Sequence, residues 1–246
     1  MEPDTAETAA ARARVDALLT RLESADFTGF AEGETRDLGG LPLGREALAA
    51  RLGETPEPPA WWDPKQAGFA LAGADLTDAH LEDTDLTGAN LAGANLAGAL
   101  GRSACFAGAT VEEANFAGAD LSGARFTGIA GGEANFDDAM LEDAHFGGAA
   151  MRFAKFRRAL LDGAHFDGAD LWGADFTGAD ADYTHFRGAR LDEVKLVGVN
   201  LTYADFEGAS LKKAQLSEAR LRGANLGGVK LDGADLSGAD LSDTSL

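Results

Sequence analysis

Three of the four histidines, His145, His165 and His185, recur at a spacing of twenty residues. Imidazoles suit zinc or copper, so a metal site is one reading of that column. Side chains in a straight ladder do not easily converge on tetrahedral geometry. The other readings are a plain surface ladder and a recognition surface, with Tyr183 and Tyr203 at the neighbouring corner and Asp205 continuing the column. A second set is anionic. When the chain is wrapped in twenties, Glu82, Asp83, Asp120, Glu142, Asp143, Asp162, Asp180 and Asp182 fall in one outward row, with Arg102 the cation among them. Neither set is assigned a metal or a cofactor. Catalytic residues are not identified: the glycines follow a turn period, and no helix opens after them as a phosphate loop requires. Neither the serines nor the single cysteine, Cys105, has a base at motif spacing.

The element that positions these residues must itself return every twenty residues. From residue 71 onward, positions ending in 1 or 6 are large and apolar, with only Gly101, Gly131 and Ala181 failing among 36. Two residues before each comes a small one, Ala at 28 of 35 positions; two residues after, Gly stands at 20 of 35. A period of five matches neither a helix nor a strand. It suits a coil of four short sides, each pointing one large and one small residue inward. The glycines supply the positive φ that a type II turn needs at its third residue. Phe106, Phe126, Phe146, Phe166, Phe186 and Phe206 then share one side, and Phe116, Phe136, Phe156 and Phe176 the opposite one. The three interruptions each predict a void or a bend, unless Leu100 or Met140 turns inward.

The units Ala74-Asp75-Leu76, Ala89-Asn90-Leu91, Ala94-Asn95-Leu96 and Ala234-Asp235-Leu236 resemble those of the pentapeptide-repeat family. That resemblance implies an all-β solenoid, a right-handed quadrilateral β-helix. Residues 61–246 are assigned to it, about nine coils and a rod of roughly 42 Å at ~4.8 Å per coil. Residues 1–60 read as a small α-helical segment ending in a Pro-rich linker. Val15, Leu18, Leu19 and Leu22 have helical spacing, and a second helix is expected over 45–52. This segment, with Trp61-Trp62, is expected either to cap the apolar end of the rod or to bind a partner. At the other end Leu231, Leu236, Leu241 and Leu246 form an apolar ring, a candidate homodimer contact.

Composition narrows the partners. The formal charge of −20 opposes direct binding to nucleic acid, which needs clustered cations. No apolar stretch approaches the length of a membrane span. Glu2, Asp4 and Glu7, without an apolar run behind them, argue against a secretory signal, and a cytoplasmic protein is expected. Residues 71–150 hold 13 acidic against 2 basic side chains, and residues 151–230 hold 11 against 12. The acidic row reads either as a solvated face or as an imitation of duplex DNA. The family resemblance implies the second for its topoisomerase-protecting members, which shield DNA gyrase or topoisomerase IV from inhibitors. The expected function is therefore non-enzymatic protein binding, with a type II topoisomerase as one partner. A rigid scaffold whose N-terminal helices bind is the alternative. Phe153 and Trp172, outward on another side, form a further candidate contact patch.

Overall fold

The computed structural model describes residues 71–246. The helices, linker and Trp61-Trp62 expected before it lie outside the described residues. Parallel bridges join each outward residue from Asp75 to Asn225 with the one twenty later, so four pentapeptides make one coil.

The repeat 96–100 shows why five residues suffice. Leu96 N–H donates to the Asn115 carbonyl (2.6 Å) and Gly98 N–H to that of Ala117 (2.9 Å), both on the next coil. Leu100 N–H reaches the Ala79 carbonyl on the previous coil (2.8 Å), and Ala99 N–H closes the turn on Leu96 (3.1 Å). Only the N–H of Ala97 is left, and the Asn95 side chain accepts it at 3.3 Å. A buried backbone donor must find a partner; Asp or Asn before the large apolar residue provides it. In the same way the N–H groups of Thr77, Asp137 and Ser242 donate to the side chains of Asp75, Asn135 and Asp240. Asn135 also donates to Asn115 and Asn115 to Asn95 down their own column, at 2.9 Å per step.

The third residue of all 35 turns has positive φ, between 53° and 72°. Twenty are glycine; the other fifteen hold side chains in the left-handed region, at about 1–2 kcal/mol each. The coil imposes this geometry whatever the residue.

Inside, the two phenylalanine columns meet. Rings within a column stack at 4.7–5.3 Å and 2–10°. Across the coil they meet edge to face at 5.5–6.0 Å. Both are favoured aromatic geometries. The void expected at Gly131 is filled: Val111, Ile129 and Met151 reach within 3.1–3.5 Å of where its Cβ would stand. At Gly101, Leu121 leans in to 3.0 Å. Leu100 stays outside, 37% exposed. Beside Ala181 the small position is Thr184, whose hydroxyl donates to the Leu161 carbonyl at 2.9 Å. Branched residues at alanine positions therefore accompany two of the three interruptions.

Ile129→Ala restores the residue usual at that position, yet it removes the group filling the space beside Gly131. It is expected to cost about 2–5 kcal/mol, measured by chemical denaturation.

Candidate protein-binding surface

The coil has four corners, each made by the second and third residues of a turn. Glu82, Asp83, Glu142, Asp143, Asp162 and Asp182 occupy one of them, and Asp180 the outward position just before it. The members of this row differ sharply. Asp120 is buried, 6% exposed, and Arg102 Nε closes on its carboxylate at 2.5 Å. Burial pushes its carboxyl up, but hydrogen bonds from Arg102 and Ser122 outweigh this and hold it below the usual carboxylate range. It is a neutralised structural pair, not part of the exposed row. Glu142 accepts from Ser122 Oγ (3.1 Å), and Asn200 Nδ2 donates to Asp180 (2.7 Å). Glu82 lies 3.8 Å from His80. Among the described residues no ion pair reaches Asp83, Asp143 or Asp162. Asp182 carries the only buried, unpaired side-chain oxygen among the described residues, Oδ1. Burial, then repulsion from Asp162 and Asp180, pushes its carboxyl above the usual range.

Tyr183 and Tyr203 continue this corner. Their rings stack at 5.1 Å, 54% and 50% exposed, on residues with φ of 53° and 57°. The Tyr203 ring overlies Gly223, where an added Cβ would come within 2.5 Å of it.

The adjacent side bears the histidines. Their rings stack face to face, His145 on His165 at 4.8 Å and His165 on His185 at 4.5 Å. Stacking aligns the rings rather than converging their nitrogens. No three His, Cys, Asp or Glu among the described residues are grouped to hold a metal ion. Burial, then His165 and Arg125, pushes the His145 imidazole below its ordinary range, so it resists protonation. At the far edge of this side the third turn residue is glycine in every coil from Gly88 to Gly228, beside side chains such as Asp167, Arg187 and Glu207 at the second, whereas each other third-position column carries side chains at several coils. That glycine column was legible by sorting third positions in twenties. The aromatic character of the imidazole column was not, because it depends on ring orientation.

Beyond residue 150 the surface charges are mostly paired. Arg157 and Arg158 bind Asp137 and Asp138, Arg152 and Arg190 share Asp170, and Arg187 binds Asp205 at 2.5 Å. Arg152 and Arg187, like Arg102, reach the aspartate eighteen residues on, from a corner to the next coil's adjoining column. In the last coil Leu231 and Leu236 are half-buried, while Leu241 and Leu246 are 41% and 92% exposed. No helix among the described residues is long and apolar enough to cross a membrane.

A solenoid with this turn geometry defines a class, and sequence comparison gives its family. The model for pentapeptide repeats matches in eight copies over residues 70–100, 102–129 and, in overlapping copies, 154–246. The chain belongs to the pentapeptide-repeat family, whose coil is the right-handed quadrilateral β-helix. Among solved structures it is similar to HetL, a pentapeptide-repeat protein involved in heterocyst differentiation regulation in the cyanobacterium Nostoc. The identity is 32%, covering 72% of this chain and 82% of HetL, with a TM-score of 0.40. A pentapeptide-repeat protein from the Arabidopsis thaliana thylakoid lumen is 30% identical over 53% of this chain and 70% of its own, with a TM-score of 0.21. QnrB1, a plasmid-mediated fluoroquinolone resistance protein, is 17% identical over 69% of this chain and 84% of its own, with a TM-score of 0.41. No curated protein matches the sequence.

The raised Asp182 carboxyl gives a signed prediction. A group whose folded-state value is raised favours folding while protonated and opposes it once ionised. Asp182→Asn is therefore expected to raise the melting temperature at pH 7. The gain should vanish as pH falls through the carboxylate range, as thermal melts between pH 3 and 7 would show.

Proposed function

We propose that this chain is a non-enzymatic protein-binding rod whose anionic edge enters a site on a type II topoisomerase, DNA gyrase or topoisomerase IV, that normally receives duplex DNA. There it modulates the enzyme or shields it from inhibitors, in the cytoplasm. The observation that supports this reading is the run of exposed and half-buried carboxylates at one corner. Glu82, Asp83, Glu142, Asp143, Asp162, Asp180 and Asp182 fall within five coil steps, about 24 Å at ~4.8 Å each. Duplex DNA presents about 14 charges over that length. The edge thus offers about half the density of DNA, with its gap where Arg102 closes on Asp120. That is enough to steer toward a cationic channel. It also makes the contact salt-sensitive.

A rigid scaffold is the second reading, with residues 1–60 as its binding module. The pairing of charges beyond residue 150 favours it, because that half displays ordered but neutralised side chains. In either case the apolar row Leu231, Leu236, Leu241 and Leu246 is the surface on which we place pairing with a second copy.

Purified protein is expected to alter gyrase supercoiling, with and without a fluoroquinolone, and to lose the effect as salt rises. Charge reversal of Glu82, Asp83, Glu142 and Asp143 to Lys should abolish it while circular dichroism is unchanged. A wild-type chain that neither binds nor protects gyrase at low salt would sink the topoisomerase reading and leave the scaffold. For self-association, sedimentation over a concentration series should show a dimer that Leu241→Asp with Leu246→Asp disperses. A strict monomer at every concentration would refute the pairing.

A further inference from the structure

The corner side chains obey a rule that one stretch breaks. A side chain at a left-handed corner position leans over the corner of the next coil. Asp78 overlies Gly98, Asp143 overlies Gly163, and Phe153 overlies Gly173, in each case closer than 3 Å to where a Cβ would stand. Where the next corner is not glycine, it usually bears a matching partner. Arg158 pairs with Asp138, Lys213 with Glu193 at 3.2 Å, and Tyr203 stacks on Tyr183. Asp83 is followed by a small residue, Ser103. The exception is Glu113, then Glu133, then Phe153, in three successive coils at φ of 56–59°.

Here two like charges follow one another about 5 Å apart, an arrangement that opposes folding. Among the described residues no ion pair or side-chain hydrogen bond involves Glu112, Glu113 or Glu133, and Arg152, one coil further on, is held by Asp170. Phe153 is also out of place by composition: a bulky side chain in the left-handed region is an outlier. Its ring is 47% exposed and meets the half-buried Trp172 edge to face at 4.7 Å. Uncompensated charge and an exposed aromatic pair stand in line along one corner, two sides round the coil from the anionic edge described above.

We propose that this corner docks an extended basic segment of a partner protein, seating one apolar side chain on Phe153 and Trp172 and its cations on Glu133, Glu113 and Glu112. Spacing and charge both favour that occupant. Alternate residues of an extended chain recur at about 6.8 Å. Measured from the middle of the aromatic pair, Glu133 lies about 7 Å along the axis and Glu112 with Glu113 about 12 Å, at ~4.8 Å per coil. An apolar residue with arginines two and four positions away meets all three points, and a guanidinium also stacks well on an indole. At this acidic corner a second copy of this chain, at net charge −20, is disfavoured as the occupant, as is nucleic acid. The proposal does not depend on the topoisomerase reading.

The probe is the peptide Arg-Ser-Arg-Ser-Leu-Ser-Arg-Ser-Arg, symmetric about leucine so that either chain direction places cations over the glutamates. It is titrated into the full chain at low salt and followed by amide and indole NMR shifts. Saturable shifts centred on Phe153, Trp172, Glu133 and Glu113 are expected. Affinity should fall about ten-fold or more in Phe153→Gly, and likewise in Glu113→Lys with Glu133→Lys. Phe153→Gly should melt no lower than the wild type, because glycine suits φ of 59°; Phe153→Asn is a second variant that tolerates the same backbone. Shifts that are absent, that spread equally over every acidic corner, or that survive these substitutions would overturn the proposal. So would a peptide with leucine replaced by serine that binds as well.

Discussion

The fold of residues 71–246 depends on one backbone constraint, a left-handed residue in each pentapeptide. That residue turns the chain through a corner, and four such corners bring residue i beneath residue i+20. The turn alone leaves one N–H without a partner, and the outward Asp or Asn accepts it in many repeats. Backbone satisfaction and the alternation of Ala with Leu or Phe are thus consequences of the same geometry. Because the turn recurs without insertion, identical side chains stack rather than drift. The phenylalanine columns, the asparagine ladder and the imidazole stack are three products of that register.

The same constraint explains why the surface is informative. Glycine is the least strained corner residue, and the histidine side keeps it along its whole far edge. Wherever another residue takes the corner, the chain tolerates strain to place a side chain in a fixed row. Most of these side chains have a local reason, such as an ion pair with the next coil or a glycine to lie upon. Asp143 and Phe153 do lie over glycines, but the carboxylates of the anionic edge and of the Glu113–Glu133–Phe153 run have few ion-pair partners among the described residues. Their interactions are directed outward, which is why binding rather than catalysis is the function proposed.

Much of this was legible in the sequence, because a strict period makes three-dimensional neighbours computable by adding twenty. The two phenylalanine columns, the histidine column and the Tyr183–Tyr203 pair follow from that sum. What could not be read was how individual side chains lean. Asp120 and Asp180 hold equivalent outward positions, followed two residues on by Ser122 and Asp182 at the corner. Arg102 reaches across eighteen residues to bury the first, while the second stays exposed. The core interruption at Gly131 read as a void, since the filling group, Ile129, stands where the pattern calls for alanine and its reach depends on packing. The Glu113–Glu133–Phe153 run was visible as letters, but it becomes anomalous only once each corner side chain is seen to lean toward the next coil.

The register of twenty is the central claim, and deleting chain in two lengths tests it directly. Removal of residues 132–151 takes out one complete coil and leaves Phe126 to stack on Phe166 in an unbroken column. Removal of residues 132–136 takes out one side only, turning every later residue by one face and setting the phenylalanine columns against leucine ones. Thermal denaturation of the two variants should show the twenty-residue deletion melting well above the five-residue deletion, although it loses four times as much chain. A five-residue deletion as stable as the longer one would contradict the account.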